Sequence, residues 1–115
     1  MAYPLETILA EKYETIIRRN IATTRMRDFY DLYTVYKLKK DQIDYKILKE
    51  AIERTSKKRG SQEIMKDYEE IIEDIKEDSY LRSLWEVYLS ENKYIGDLSF
   101  DKVVDVVRIV SKTTS

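Results

Sequence analysis

Lys12, Asp28 and Asp31 are the residues of this chain whose types and spacing suit chemistry. Asp28 and Asp31 stand at i and i+3 in "RMRDFYD", so on a helix both carboxylates serve one locus. Paired carboxylates are a means of holding magnesium beside a nucleotide, through oxygen ligands and retained waters. Arg25 and Arg27 precede and flank them, two cations of the kind that grip phosphate. Lys12 falls within the stripe Leu5, Ile8, Leu9, Tyr13, Ile16 and Ile17, whose helical spacing marks a buried face. A lysine in the middle of that face offers a compact cation to a phosphate if the face lines a cleft. Each residue also has a plainer reading. Lys12 can snorkel, its stem covering apolar surface and its ammonium reaching water. Asp28 suits the dipole of a helix start, and Asp31 pairs with Arg27 four residues before it. Spacing does not choose between the two.

The rest of the composition narrows the chemistry. Cys and His are both absent, which removes disulfides, Cys-based metal sites and the commonest general base. Any chemistry rests on carboxylates, Lys, Arg or Tyr. The start "MAYPLETILAEK" carries acids and no basic leader, and no apolar run reaches membrane-spanning length. The expected setting is soluble and cytoplasmic, with no membrane partner. The net charge of -1 is unevenly spread: residues 1–60 hold 14 Lys and Arg against 9 Asp and Glu, the remainder 7 against 13. Two solvated faces of opposite sign account for this, as does a first half that faces phosphate.

Helices must position these residues. Two Gly, one Pro and 37% charged residues in 115 suit a helical chain. Pro4 and Glu6 open a first helix over residues 4–19. Thr24 is the expected cap of a second, over 25–38, burying Met26, Phe29, Tyr30, Tyr33 and Tyr36. Asp44 caps a third that buries Ile47, Leu48, Ala51, Ile52 and Thr55 and ends at Gly60. Ser61 opens a fourth with the stripe Ile64, Met65, Tyr68, Ile71, Ile72 and Ile75. Leu81, Leu84, Trp85, Tyr88 and Leu89 mark a fifth, and Ser99 caps a sixth carrying Phe100, Val103, Val104, Val107 and Val110. "VVDVVRIV" favours a strand by propensity, but its apolar positions do not alternate and no second strand offers to pair with it. The expectation is an all-α, irregular bundle of about six helices, a single helical domain over 1–115. The ten tyrosines read first as core with polar tips, and second as surfaces on which a nucleobase stacks.

"YPLETILAEKYETII", "TTRMRDFYDLY" and "LKEAIERTSKKRG", in that order, resemble the C-terminal half of the AbiEii/AbiGii nucleotidyltransferase family. Its members are toxins of abortive-infection, type IV toxin–antitoxin systems, a form of phage defence. The resemblance implies that Lys12, in Ala-Glu-Lys, and Asp28, with Asp31 completing Asp-x-x-Asp, belong to a catalytic site. It implies a nucleoside triphosphate with magnesium as substrate, bound by Lys12, Arg25 and Arg27. A cognate antitoxin and a tRNA or other acceptor are the implied partners. The family's N-terminal half carries a β-sheet core with a Gly-Ser turn and an Asp-x-Asp pair. Gly60 and Gly96 are the chain's two glycines, and neither stands in that context. The chain is thus expected to be the helical part alone, inactive without its core and holding no metal by itself. The contrasting expectation is a stand-alone helical interaction module that binds a partner such as the antitoxin without catalysis.

Overall fold

The computed structural model describes residues 4–113. Its elements are α1 (Leu5–Arg19), α2 (Met26–Lys39), α3 (Tyr45–Arg59), α4 (Gln62–Met65), α5 (Tyr68–Glu77), α6 (Ser79–Glu91) and α7 (Phe100–Lys112), with short 3-10 turns at Asn20–Ala22, Lys40–Gln42 and Lys93–Ile95. No strand occurs among the described residues, and "VVDVVRIV" is helical. The all-α expectation holds. No helix of the described residues is long and apolar enough to cross a membrane.

α1 is the axis of the fold. It packs along α3 on one side and α2 on the other, while α7 closes over α2 and α5. Leu9, Tyr13, Ile16 and Ile17 of α1 meet Phe29 and Leu32 of α2, Leu48 and Ile52 of α3, Ile72 and Ile75 of α5, and the valines of α7 in one core. Complete burial of each such aliphatic side chain favours folding by about 1.5–3 kcal/mol, which offsets the entropy of ordering these short helices. Polar contacts fix the ends. Asp44 accepts from the backbone N–H of Lys46 and Ile47, and Ser99 from that of Lys102. Gly60 closes α3 in the left-handed conformation, φ 71°. The buried Glu6 accepts the Asp44 N–H at 2.9 Å, locking the start of α1 to that of α3. Arg82 pairs with Asp101 and Arg108 with Glu73, clipping α6 and α5 to α7.

Three local expectations are corrected. The fourth helix is broken into α4 and α5, because the bonds tighten to i→i+3 where Lys66 and Asp67 donate to Glu63 and Ile64. Ile64 is consequently exposed, and the described residues form seven helices where about six were expected. Thr24 does not cap α2: the helix begins after Arg25 without a side-chain cap, and Asp28 in its first turn favours that start. Ile47 is exposed, while Ser56, one turn beyond Ile52, is buried instead.

Candidate functional site

Helix geometry moves Lys12 from the middle of the buried arc to its edge. At 100° per residue the buried arc of α1 runs from Ile16 and Leu9 through Tyr13, Ile17 and Ala10 to Glu14. Lys12 lies beyond Ile16 on the side facing α2, with 28% of its side chain exposed. Asn20, at φ 52°, ends α1, and the Asn20–Ala22 turn reverses the chain so that α2 runs back beside it.

The lysine ammonium then bridges both aspartates. Lys12 Nζ donates to Asp28 Oδ1 at 3.1 Å and lies 3.0 Å from Asp31 Oδ2. The hairpin register leads one to expect an offset of about 6 Å along the axes, from four residues' rise. The long lysine stem removes it, and the contact is direct. Burial works against the Lys12 charge, but the hydrogen bonds and charges of Asp31 and Asp28 outweigh it and hold its pKa above the ordinary lysine value.

Asp28 is not on an open concavity. It is buried, and its second oxygen, Oδ2, has no hydrogen-bond partner. Arg25 Nε stands 3.8 Å from that oxygen, and Arg27 Nε 3.7 Å from Asp31 Oδ2. Both guanidinium groups are largely exposed. All five sequence candidates, Lys12, Arg25, Arg27, Asp28 and Asp31, thus meet at one place. It is a half-buried lysine–dicarboxylate core with two solvent-facing arginines. The arrangement can present three cations to a polyanion while keeping one carboxylate oxygen free as an acceptor. No group of three or more His, Cys, Asp or Glu residues among the described ones is placed to hold a metal ion.

A second carboxylate escaped the sequence reading. Glu14, fully buried, accepts from Arg18 Nε at 2.9 Å, Arg59 Nη1 at 2.7 Å and Ser61 Oγ at 2.7 Å. Arg18, four residues on, was a visible signal. Arg59 and Ser61 lie 45 and 47 residues away, beyond the reach of periodicity.

Comparison with protein families matches residues 1–106 to the model described as "Nucleotidyl transferase AbiEii toxin, Type IV TA system". Neither a curated protein nor a solved structure matches the chain.

Proposed function

The chain belongs to the AbiEii family of nucleotidyl transferase toxins, and on that premise we propose that its helical bundle supplies Lys12, Asp28 and Asp31 to a nucleoside triphosphate site. The observation that carries this reading is the shared ammonium, 3.1 and 3.0 Å from two carboxylates, beside a buried oxygen of Asp28 that has no hydrogen-bond donor. A buried acceptor without a partner costs about 1–3 kcal/mol, and a fold retains such a group where a ligand completes it.

In this reading Lys12, Arg25 and Arg27 neutralise and orient the phosphates. Asp28 and Asp31 aim the lysine. Nucleotidyl transfer depends on positioning and on charge stabilisation, commonly with a divalent cation. Two carboxylates that already share an ammonium do not fit a resident magnesium site, so the cation is assigned to the nucleotide and to a catalytic core outside these helices. A β-sheet core bearing the Gly-Ser turn and Asp-x-Asp pair is the proposed complement, since the described residues carry no strand. The bundle acts as the helical, C-terminal-type domain that closes over the nucleotide. Transfer RNA or another acceptor, and the antitoxin, are the partners this assignment brings with it.

The test is labelled-nucleotide transfer by the bundle joined to a family core. Lys12→Met and Asp28→Asn should each abolish transfer while the fold, followed by circular dichroism, is kept. Full activity in either folded variant would remove that residue from the site.

A further inference from the structure

A cleft of about 440 Å3 opens between α2, the Lys93–Ile95 turn and the start of α7, and no residue of the lysine–aspartate locus lines it. Tyr30 and Tyr33, one turn apart on α2, form one wall, and Thr34, Lys37, Asp97 and Lys102 are polar groups around it. Tyr30 is braced from behind. It packs 6.2 Å from Tyr88 and meets Tyr94 edge-on at 6.3 Å, while Tyr88 stacks at 5.5 Å on the buried Trp85. A ring held this way loses little further freedom when a planar group stacks on it. Tyr33 already turns its face to a cation, with Lys37 Nζ 5.8 Å from the ring centre. The volume falls within the range of small-molecule sites, and the mixture of flat apolar wall and few polar groups is typical of them.

The cleft and the lysine–aspartate locus lie at similar height on different faces of α2: Tyr30 and Asp31 are consecutive, so their side chains point about 100° apart, and Thr34 is one turn on from Asp31, about 4.5 Å along the axis. Tyr88, behind the wall, feels the charges of Asp31 and Arg27. Other clefts are lined by Tyr13, Ile52, Met65 and Tyr68 on the α3–α5 side of α1, by Lys66, Asp67 and Glu70, and, at about 300 Å3, by Arg25, Arg27, Leu84 and Tyr88; none of these pairs two α2 tyrosines in one wall.

We propose that the Tyr30–Tyr33 cleft is a nucleobase subsite, in which a base stacks on the tyrosine wall and presents its polar edge to Asp97 and Thr34. Asp97 accepts from an exocyclic amine, so guanine, adenine and cytosine are favoured over uracil. The base is that of the nucleoside triphosphate or of a nucleic-acid chain end. The inference rests on the nucleotide reading above for its biological sense, but its chemistry is separable.

Nucleosides carry the base without phosphate and tripolyphosphate carries phosphate without base, so the protein is titrated with each while tyrosine ring signals are followed by NMR. Guanosine, adenosine and cytidine should shift Tyr30 and Tyr33, and Tyr33→Leu should weaken this by at least about fivefold, the low end of what one stacked base contributes. Asp97→Ala, at an exposed position that spares the core, should abolish the preference over uridine. Tripolyphosphate should instead respond to Lys12→Met. Its failure to bind counts against the nucleotide reading and leaves the cleft standing. A mononucleotide and a short single-stranded RNA, compared under the same conditions, identify the source of the base by which binds more tightly. Nucleosides that leave both rings unshifted at millimolar concentration, or binding unchanged in Tyr33→Leu, would overturn the proposal.

Discussion

Glu14 and Asp28 are both buried carboxylates, Glu14 on α1 towards α3 and Asp28 on α2 towards α1, and the fold treats them differently. Glu14 has every near neighbour a carboxylate could ask for: two guanidinium groups and a hydroxyl, at 2.7 to 2.9 Å. Asp28 has one ammonium, which it shares with Asp31, and an oxygen with no hydrogen-bond donor, only Arg25 Nε at 3.8 Å. A satisfied network holds the chain in one arrangement, whereas an unsatisfied one has capacity left for a ligand. Glu14 clamps the ends of α1 and α3 together; the surroundings of Asp28 leave room for the proposed ligand.

The largest expected effect lies on the clamp. Glu14→Ala removes three hydrogen bonds at once, leaves Ser61 Oγ buried with little to donate to, and opens a void. Loss of one partner from a buried, charged network costs about 3 kcal/mol or more, which urea unfolding should register. A loss under about 1 kcal/mol would show that the clamp is ornamental to stability.

Next in size is the coupling across α1 and α2. Lys12→Met leaves the buried Asp28 without its ammonium, so it should destabilise by about 1–2 kcal/mol rather than behave as the neutral change expected of a snorkelling lysine. Lys12→Met combined with Asp28→Asn should recover much of that, because the uncompensated charge is gone. A double-mutant cycle on unfolding free energies reads the coupling directly. Strict additivity would mean that the 3.1 Å contact is energetically idle.

Smaller again is the response to alkali. Burial pushes the Tyr13 phenol well above its ordinary pKa, against a hydrogen bond with Ser111, and the Lys12 pKa is raised too. Both groups bind their protons more tightly folded than unfolded. Their contribution is therefore complete below the unfolded values, near pH 10, and is lost as pH rises beyond them. Unfolding midpoints should be flat from about pH 8 to 9.5 and then fall, and Tyr13→Phe should flatten the fall.

The sequence exposes one of these two carboxylate environments more readily than the other, for a physical reason. Asp28 and Lys12 sit on consecutive helices joined by a short turn, and a lysine among Leu5, Ile8 and Ile16 is conspicuous. The Asp44 and Ser99 caps and Gly60 are equally local, and each occurs where expected. Glu14 depends on Arg59 and Ser61 from the far end of α3, so nothing near it in the chain announces the clamp. The break at Lys66–Asp67 is hidden for a related reason: a single pair of i→i+3 bonds interrupts the helix without disturbing the apolar period. Asp28's burial and its vacant oxygen depend on how α2 leans on α1, which spacing does not encode.

The smallest expected stability effect tests the comparison most finely, through the arginines. Arg18 and Arg59 approach Glu14 within hydrogen-bonding distance and are about two-thirds buried, whereas Arg25 and Arg27 stand 3.8 and 3.7 Å from their aspartates and are 59% and 75% exposed. Exposed ion pairs at such distances contribute about 0–1 kcal/mol. Arg25→Gln and Arg27→Gln should therefore leave the unfolding free energy within about 0.5 kcal/mol of the parent, while Arg59→Gln should cost clearly more. Affinity should run the other way. Arg25→Gln and Arg27→Gln each remove one positive charge from the side of the locus proposed to face phosphate and should weaken tripolyphosphate binding severalfold, most at low salt. Arg59→Gln lies on the far side of α1 and should leave that binding unchanged. If Arg59→Gln weakens tripolyphosphate as much as Arg27→Gln does, the anion is not recognised at the Lys12 locus, and the division between clamp and site fails with it.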